Sequence, residues 1–414
     1  MNRKIAVIDM KAFYASIECV EKNLNPFTTP LVVCDESRGN GAIVLSVSPY
    51  LKQLGVPSRC RKRELPNIPG MIFATPRMSL YVEKSAEIVS IVLDFVGEDD
   101  IHVYSIDELF VNLSPYLKMY NATPYQLTKK IKDTIYDRTG LTTTAGIGDN
   151  MLMAKVALDT DAKNKPPYIS QWRKSDIKNK LWKIKPLSKM WGISVNYERR
   201  LNNLGIYTVG QLANSNKDLL RSEFGIMGEQ LWEHANGIDE TDIRKKYVPK
   251  DNSLSLGQVL FRDYKVHEAR TIIKEMNDDL CMRLRSRGQY TQSVGLSIGY
   301  SMAVYGGFSH QMMLENPSDD TEEILDVLLK IYEKYVEPLP IRRVYLTFGK
   351  LSTSNIEQLS LFEDAISKEE RRNLQKVSDR LKTKYGKDII LRGSSLLEES
   401  TAKERHNQIG GHRK

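Results

Sequence analysis

Cysteine is scarce in this 414-residue chain. The four cysteines, Cys19, Cys34, Cys60 and Cys281, lie far apart, and no two of them have the Cys-x-x-Cys spacing. The sequence therefore indicates neither a zinc site built on paired cysteines nor a disulfide framework. A reducing compartment fits this pattern best, and we expect a cytoplasmic protein.

Long apolar runs are also missing. The longest apolar stretch, "IVSIVLDFV" near residue 90, is interrupted by Ser90 and Asp94. It is much shorter than the roughly 20 residues that a membrane-spanning helix needs. The apolar part of the opening "MNRKIAVIDM" is too short for a signal peptide. We therefore expect no membrane partner and an ordinary globular chain, long enough for roughly three domains.

Positive charge is what the chain has in excess, with a formal net charge of +8. The excess is concentrated in one segment, because residues 172–201 contain nine Lys or Arg against Asp176 and Glu198, a local charge of +7. A basic patch of this kind favours a polyanionic partner such as nucleic acid.

The hydrophobic pattern predicts an α+β chain of several domains. "RKIAVID" reads as a buried strand, a helix follows it, and later segments give a strand pair, a second helix and the strand "LTTTAGIG". This order is that of a ferredoxin-like domain with an insertion at about residues 24–78. Short helices broken by glycine follow from about 172 to 240, and strands return around one long helix from about 252 to 350.

Two adjacent carboxylates interrupt the apolar segment "YSIDELF". They are tolerated if Ile106 and Asp107 form the turn of a hairpin, which puts Asp107 and Glu108 at one end of the sheet. In a ferredoxin-like domain the first strand lies beside this hairpin and brings Asp9 to the same end. Three such carboxylates raise one another's pKa unless a cation is bound, and Mg²⁺ suits oxygen ligands. Two ions would make a phosphoryl-transfer site. The Asp-Glu pair taken alone is better explained as polar turn chemistry.

Three motifs, "DMKAFYASIE", "YSIDE" and "AGIGDNMLMAK", occur in the order and spacing of a known family. With them the chain resembles the Y-family DNA polymerases, the lesion-bypass enzymes, over nearly its whole length to about residue 362. It is most similar to the UmuC type, the catalytic subunit of polymerase V and its relatives in Gram-positive bacteria. The resemblance implies a right-hand polymerase with a ferredoxin-like palm, small fingers, a helix-hairpin-helix thumb and an α+β little finger.

The resemblance also implies roles for residues near the carboxylates. Asp9, Asp107 and Glu108 match the catalytic, metal-binding carboxylates for two Mg²⁺ ions, with the Met10 carbonyl as a further ligand. Tyr14 matches the steric gate that excludes a ribose 2′-OH, and Phe13 lines the sugar pocket. The candidate triphosphate contacts are Ser46, Lys52 and Lys163. Ser48 and Pro49 predict a helix start just before Lys52, and the spacing from Lys155 to Lys163 is one residue longer than in some relatives.

Two further regions are expected to bind DNA. "MWGISVNYERRLNNLGIYTVGQLA" looks like a helix-hairpin-helix that grips the phosphate backbone through amides at glycine turns and nearby cations. A plain helical hairpin with a basic surface is the alternative. The long helix of the little finger ends in three arginines that suit phosphate contacts and equally a solvated helix end. The candidate DNA-binding residues are Gly192, Ile193, Arg199, Arg200, Gly205, Arg283, Arg285 and Arg287.

The segment "QLSLF" lies just beyond the last predicted strand. Gln358, Leu359, Leu361 and Phe362 resemble the bacterial peptide that binds the replicative sliding clamp (beta). A following helix carries Leu374, Val377 and Leu381 on one face, which could dock on the protein itself or on an accessory subunit. The polar end from Glu399 to Lys414 is predicted to be disordered.

These expectations combine into one domain scheme. The palm covers residues 1–23 and 79–171, the fingers 24–78, the thumb 172–245 and the little finger 252–352. A C-terminal tail, 353–414, contains the clamp-binding peptide 358–362.

The resemblance implies a DNA-directed DNA polymerase of low fidelity for translesion synthesis, in damage tolerance and SOS-type mutagenesis. Its partners would be primer-template DNA, dNTP and the sliding clamp, with a UmuD-like accessory subunit and a recombinase filament as further candidates. A palm-domain nucleotide cyclase and a non-catalytic DNA-binding regulatory subunit are the alternatives. A cyclase needs neither the clamp peptide nor the helix-hairpin-helix, and a regulatory subunit need not keep all three carboxylates.

Overall fold

The structure is a computed structural model that describes residues 3–163, 165–246, 248–249, 252–353 and 365–414, with side chains from 369 onward in the last range. The chain divides into two compact units, Met1–Lys246 with Arg413, and Tyr247–His412 with Lys414. The division falls between the predicted thumb and the predicted little finger. Within the described residues, no helix is both long and apolar enough to cross a membrane.

The first unit contains eight strands among its described residues. They are β1 (Ile5–Met10), β2 (Leu31–Cys34), β3 (Val44–Val47), β4 (Ile72–Ala74), β5 (Ile101–Val103), β6 (Glu108–Asn112), β7 (Thr143–Gly148) and β8 (Ile169–Gln171). Its α-helices are α1 (Phe13–Glu21), α2 (Pro49–Gln53), α3 (Met78–Leu93), α4 (Pro124–Thr139), α5 (Met151–Ala157), α6 (Asp176–Asn179), α7 (Val195–Asn203), α8 (Val209–Ala213), α9 (Lys217–Phe224) and α10 (Ile226–Ala235).

Five strands form the central sheet in the order β5-β6-β1-β7-β8. Strand β1 is antiparallel to both of its neighbours, β6 and β7. This is the ferredoxin-like order that the sequence predicted. Strand β1 lies at the centre of the sheet, and its residues Ala6, Val7 and Ile8 are fully buried. The inserted strands form a separate sheet, β3-β2-β4.

Side-chain caps begin two of the helices, and the one at Ser48 confirms the helix start that the sequence predicted. The Ser48 side chain accepts a hydrogen bond from the amide of Leu51 at 3.3 Å, with Pro49 as the first residue of α2. Thr208 caps α8 by accepting from the amide of Gln211 at 3.2 Å, after a turn at Gly205 with a φ of 79°. Such caps satisfy backbone amides that have no partner within their helix, so they are readable from a few neighbouring residues.

The second unit is built on a four-stranded sheet in the order β11-β10-β12-β9. Its elements are β9 (Leu254–Tyr264), α11 (Val266–Ser286), β10 (Thr291–Tyr300), β11 (Gly307–Ser318), α12 (Thr321–Tyr335), β12 (Ile341–Gly349), α13 (Ala365–Tyr385), α14 (Ala402–His406), β13 (Gln408–Ile409) and β14 (His412–Arg413). Apolar residues at helical spacing form a stripe on α11, and Ile272, Ile273 and Met276 of this stripe are fully buried against the sheet.

The prediction that the chain end is disordered is wrong. Arg405 in α14 pairs with Asp279 of α11 at 2.9 Å, and the Ser400 hydroxyl donates to Glu275 at 2.6 Å. The low hydrophobicity of this segment suggested that it could bury too little apolar surface to fold. It is ordered instead by ion pairs and hydrogen bonds to acidic residues on α11.

Helix α13 packs on the second unit through its polar side. Asp379 pairs with Arg285, whereas Leu374 and Val377 are 71% and 49% exposed. The apolar stripe therefore does not dock on the part of the chain that the structure describes.

Candidate active site

The hairpin formed by β5 and β6 brings carboxylates to one end of the central sheet. Asp9 in β1 lies directly opposite Glu108, the first residue of β6. The amide of Met10 donates to the carbonyl of Asp107 at 2.9 Å, and the amides of Tyr104 and Ser105 both donate to the Glu108 carbonyl at 3.0 Å. Asp107 is therefore in the turn, as the sequence predicted, and Glu108 begins the strand.

Glu108 is only 7% exposed and forms an ion pair with Lys155, whose Nζ lies 2.8 Å from its Oε2. The other carboxylate oxygen, Oε1, is buried and has no hydrogen-bond partner among the described residues. Burial raises the pKa of Glu108, and the hydrogen bond from Lys155 offsets part of that rise. A buried acceptor without a partner lowers the stability of the fold unless a cation or a hydrogen-bond donor contacts it.

Asp9 is paired with a second lysine. Lys163 Nζ lies 3.1 Å from Asp9 Oδ2 and 2.9 Å from Asp159 Oδ1. Burial raises the pKa of Asp9, Lys163 lowers it, and the charge of Asp107 raises it again. Asp9 and Asp107 are thus close enough for their charges to interact.

The three carboxylates meet at one sheet end, but each has its own partner. Asp107 accepts a hydrogen bond from the Ser105 hydroxyl at 2.7 Å. Among the described residues, no three His, Cys, Asp or Glu side chains converge closely enough to hold a metal ion in this arrangement. The donor set nevertheless fits a hard divalent cation, since it consists of carboxylate oxygens and includes the unpartnered Glu108 Oε1.

Two glycines of "AGIGDN" explain how Lys155 reaches Glu108. A Cβ on Gly146 would lie 2.1 Å from the Ala154 carbonyl oxygen, and one on Gly148 would lie 2.4 Å from the Ala154 amide nitrogen. Helix α5 therefore packs directly on β7, which a larger side chain would prevent. The Asn150 side chain caps α5 by accepting from the Met153 amide at 2.8 Å.

A π-helical turn, Leu158–Ala162, lies between α5 and Lys163. A π turn accommodates an extra residue in a helix and is common at functional sites. It matches the longer spacing from Lys155 to Lys163 noted in the sequence, and it ends where Lys163 contacts Asp9.

Lysines surround this end of the sheet. Lys52 is exposed and interacts electrostatically with Asp9, Lys163 and Asp107. Lys11 donates to the Lys163 carbonyl at 3.0 Å, and partial burial together with the charge of Lys52 lowers its pKa. The sequence analysis missed Lys11, although it lies inside the motif "DMKAFYAS" two residues after Asp9. Ser46 is buried in β3.

The two aromatic residues at the start of α1 differ in exposure. Phe13 is 3% exposed and belongs to the core, whereas Tyr14 is half-buried. Burial, and then the charge of Asp107, raises the pKa of Tyr14, so its ring lies on the same side as the carboxylates.

The predicted DNA-binding residues of the thumb are accessible. All nine Lys and Arg residues between 172 and 201 are exposed, including Arg199 and Arg200. Gly192 has a φ of 90° at the turn before α7, and Ile193 is buried beneath it. This surface has the charge and the glycine turns that backbone binding requires.

Arg285 is a correction to the predicted DNA contacts. Its guanidinium binds Asp379 through two hydrogen bonds of 2.6 and 3.1 Å, and its side chain is 11% exposed. The sequence could not show this pair because Asp379 lies on another helix. Arg283 and Arg287 are exposed at the end of α11. The predicted clamp peptide, Gln358, Leu359, Leu361 and Phe362, lies outside the described residues.

Comparisons with known proteins agree with this architecture. Residues 8–159 match the impB/mucB/samB family model, and residues 252–361 match the model of that family's C-terminal domain. The chain is 37% identical to UvrX of Bacillus subtilis (strain 168), a protein named for UV-damage repair, over 100% of this chain and 98% of that protein. It is 32% identical to DNA polymerase IV 2 of the same organism, over 100% of this chain and 99% of the relative.

A solved Y-family DNA polymerase chimera of Dbh and Dpo4 has the same fold. Its TM-score is 0.68 at 20% identity, over 85% of this chain and 100% of the chimera. The fold and the matching family models are those of a DNA polymerase of the right-hand architecture. The chain belongs to the impB/mucB/samB family and is a Y-family DNA polymerase. The predicted family is thereby confirmed, and the finer likeness to the UmuC type stays a prediction.

Proposed function

We propose that this polymerase carries out template-directed, low-fidelity synthesis across damaged DNA, extending a primer 3′ end with dNTPs. The observation that carries the proposal is the opposition of Asp9 and Glu108 across β1 and β6, with Asp107 in the adjoining turn and lysines around them. Carboxylates for metal and cations for a triphosphate are the two components that phosphoryl transfer needs.

Asp9, Asp107 and Glu108, with the Met10 carbonyl, would hold two Mg²⁺ ions. When bound, such ions lower the pKa of the attacking hydroxyl and neutralise charge on the leaving pyrophosphate. Lys155 keeps Glu108 in place beneath this end of the sheet. Lys11, Lys52 and Lys163 would neutralise and orient the triphosphate, with Ser46 as a further hydroxyl donor. Tyr14 would exclude ribonucleotides, and Phe13 would line the sugar pocket.

DNA and protein partners would bind at surfaces away from the carboxylates. The exposed basic face of the thumb, together with Arg283 and Arg287, would bind the phosphates of primer-template DNA. DNA affinity should therefore fall steeply as salt rises. Residues 358–362 would bind the sliding clamp, and a UmuD-like subunit or a recombinase filament would be recruited as in UmuC-type relatives.

Primer extension with Mg²⁺ on undamaged and abasic templates tests the catalytic assignment. Asp107→Ala combined with Glu108→Ala should abolish extension on both templates, because the cation ligands are lost. The matched control is Glu98→Ala with Asp99→Ala, an adjacent carboxylate pair that is exposed on the same domain. Equal extension by the wild type and the Asp107/Glu108 variant would refute the proposal.

Clamp binding is tested separately with purified clamp. Leu361→Ala with Phe362→Ala should remove binding and clamp-dependent processivity while leaving distributive synthesis intact. Loss of distributive synthesis as well would contradict the assignment of these residues to the clamp alone.

The alternatives are less well supported. A nucleotide cyclase needs only the palm, whereas this chain also matches the family's C-terminal domain and has the basic helical region. A non-catalytic subunit has no need for three carboxylates at one sheet end, two of them paired with lysines.

A further inference from the structure

Glu18 is a buried charge that the proposed chemistry does not use. It lies in α1, one turn beyond Tyr14, and is 1% exposed. A carboxylate at such depth is kept only where cations and hydrogen-bond donors satisfy it. Its partners come from the start of α3, far away in the sequence.

Arg77 and Tyr81 satisfy this carboxylate. Arg77 donates from Nε to Glu18 Oε1 and from Nη2 to Oε2, both at 2.9 Å. The Tyr81 hydroxyl donates to Oε1, also at 2.9 Å. Burial, followed by the charge of Glu18, raises the pKa of Tyr81 well above its usual value, so the hydroxyl remains a donor at neutral pH.

The ring of Tyr81 connects this cluster to Tyr14. Tyr81 is fully buried, and its ring stacks on that of Tyr14 with centroids 4.6 Å apart and an interplanar angle of 26°. One face of the Tyr14 ring is thus packed against a fully buried ring. The backbone before it is also constrained, because Ala12 has a φ of 52°.

Selection by a steric clash depends on where the ring is held. A ring that can yield by a fraction of an ångström no longer rejects a single extra hydroxyl, so a gate needs supporting residues whose own positions are fixed. The fork between Arg77 and Glu18 fixes α1 relative to the start of α3, and the hydroxyl of Tyr81 anchors the supporting ring.

We propose that Glu18, Arg77 and Tyr81 are positioning residues that hold Tyr14 in the place where it discriminates between deoxyribose and ribose. This inference rests on the proposed role of Tyr14 as the steric gate. The three residues do not touch the substrate, and they act through the position of the Tyr14 ring.

The experiment measures kcat/KM for a dNTP and for the matching rNTP, and compares the ratio between variants of the full chain. Tyr81→Leu removes the supporting ring and should lower the ratio by about tenfold or more, mainly through faster rNTP insertion. Tyr81→Phe keeps the ring but loses its anchor, and Glu18→Gln weakens the fork, so each should lower the ratio by a smaller factor. Tyr120→Leu and Tyr120→Phe are the matched controls, since the Tyr120 hydroxyl binds the Phe95 carbonyl at 3.2 Å, away from Tyr14.

Thermal unfolding of each variant separates positioning from general damage, because loss of structure lowers insertion of both nucleotides without favouring rNTP. Tyr14→Ala separates the proposed steric-gate role of Tyr14 from the positioning role of the residues that hold it. If Tyr14→Ala admits rNTPs but Tyr81→Leu and Tyr81→Phe keep the wild-type ratio, the positioning role is overturned and the gate remains. If Tyr14→Ala also keeps the wild-type ratio, both the gate and its support are overturned.

Discussion

At the scale of single residues, the site depends on lysines buried beside carboxylates. Lys155 and Glu108 are each about 8% exposed at the side chain, so the pair is shielded from water and salt. Breaking such a pair leaves an uncompensated charge in the interior, which costs more than the intact pair contributes.

Lys155→Met should lower the free energy of unfolding by about 3–5 kcal/mol at neutral pH. Adding Glu108→Gln should restore part of the loss, because no buried charge is then left without a partner. The deficit of Lys155→Met should shrink as the pH falls, because without Lys155 nothing offsets the effect of burial on the pKa of Glu108. Protonation of Glu108 then removes the unpaired buried charge that destabilises the variant. Urea unfolding at pH 5.5 and 8 measures both effects.

The control for this pair is Lys129→Met. Lys129 contacts Asp133 at 2.6 Å, but both side chains are more than half exposed. Its loss should change the free energy of unfolding far less than the loss of Lys155, because solvent screens an exposed pair. If Lys129→Met and Lys155→Met lowered the free energy of unfolding equally, burial of the Lys155–Glu108 pair would not explain its effect on stability.

Lys132 makes the stability of the protein depend on pH through a lysine whose pKa is lowered by burial, rather than through a carboxyl whose pKa is raised. Burial lowers its pKa to about 8 from 10.5, and its Nζ donates to the carbonyls of Pro167 and Tyr168 at 3.0 and 2.7 Å. Between these two values the unfolded chain binds more protons than the folded one, so this residue makes stability rise with pH.

Lys132→Met should remove that rise, which amounts to roughly 3 kcal/mol at most. The measurement is the difference in unfolding free energy between variant and wild type at pH 7.5 and 10. Lys130→Met, at an exposed position of the same helix, should leave the difference unchanged with pH. A difference for Lys132→Met that is independent of pH would rule out the depressed pKa.

At the scale of elements, the approach of α5 to β7 decides where Lys155 and Lys163 lie. The contact is made by backbone against backbone at Gly146 and Gly148. The π turn then carries the chain from α5 to Lys163 beside Asp9. A shift of this helix would therefore move both lysines at once.

Gly146→Ala should destabilise the first unit by about 3 kcal/mol or more, because the added methyl meets backbone atoms that cannot move aside. It should also reduce primer extension in the fraction that remains folded. Gly41→Ala is the matched control, since a Cβ there has nothing within 4 Å. Thermal unfolding of the two variants makes the comparison, and similar losses would argue against a tight contact between α5 and β7.

At the scale of the whole molecule, the chain end is an integral part of the second unit. Asp279 of α11 accepts from Lys387 at 2.9 Å, Arg405 at 2.9 Å and His406 at 3.1 Å. Burial alone would raise the pKa of Asp279, but His406, Arg405 and Lys387 together hold it far below its usual value. Its stabilising effect is therefore present at neutral pH and is lost as the pH falls through the acid range.

A chain ending at Gly386 should be markedly less stable in its second unit, by several kcal/mol, because buried acidic residues of α11 lose their cations. A chain ending at Asn407 retains Lys387, Arg405 and His406 and should stay close to the wild type. Limited proteolysis and thermal unfolding compare the two. Equal stability of both truncated chains would show that these ion pairs contribute nothing.

Much of the architecture was predictable because it depends on local and periodic signals. The hairpin at "YSIDELF", the caps at Ser48 and Thr208 and the stripe of α11 each follow from a few neighbouring residues or from one repeat. The ferredoxin-like order followed from the succession of elements, and the motifs placed Asp9, Asp107 and Glu108 at one sheet end.

The sequence by itself determined the family, the elements and the end of the sheet where the carboxylates lie, since short motifs and hydrophobic periods carry that information. Only the tertiary structure decided which charges meet. Lys155 and Glu108 are 47 residues apart and Arg285 and Asp379 are 94 apart, so their pairing depends on strand register and helix packing. The ordered chain end and the contact of Tyr81 with Tyr14 have the same origin, because partners from distant segments satisfy buried polar groups that no local pattern identifies.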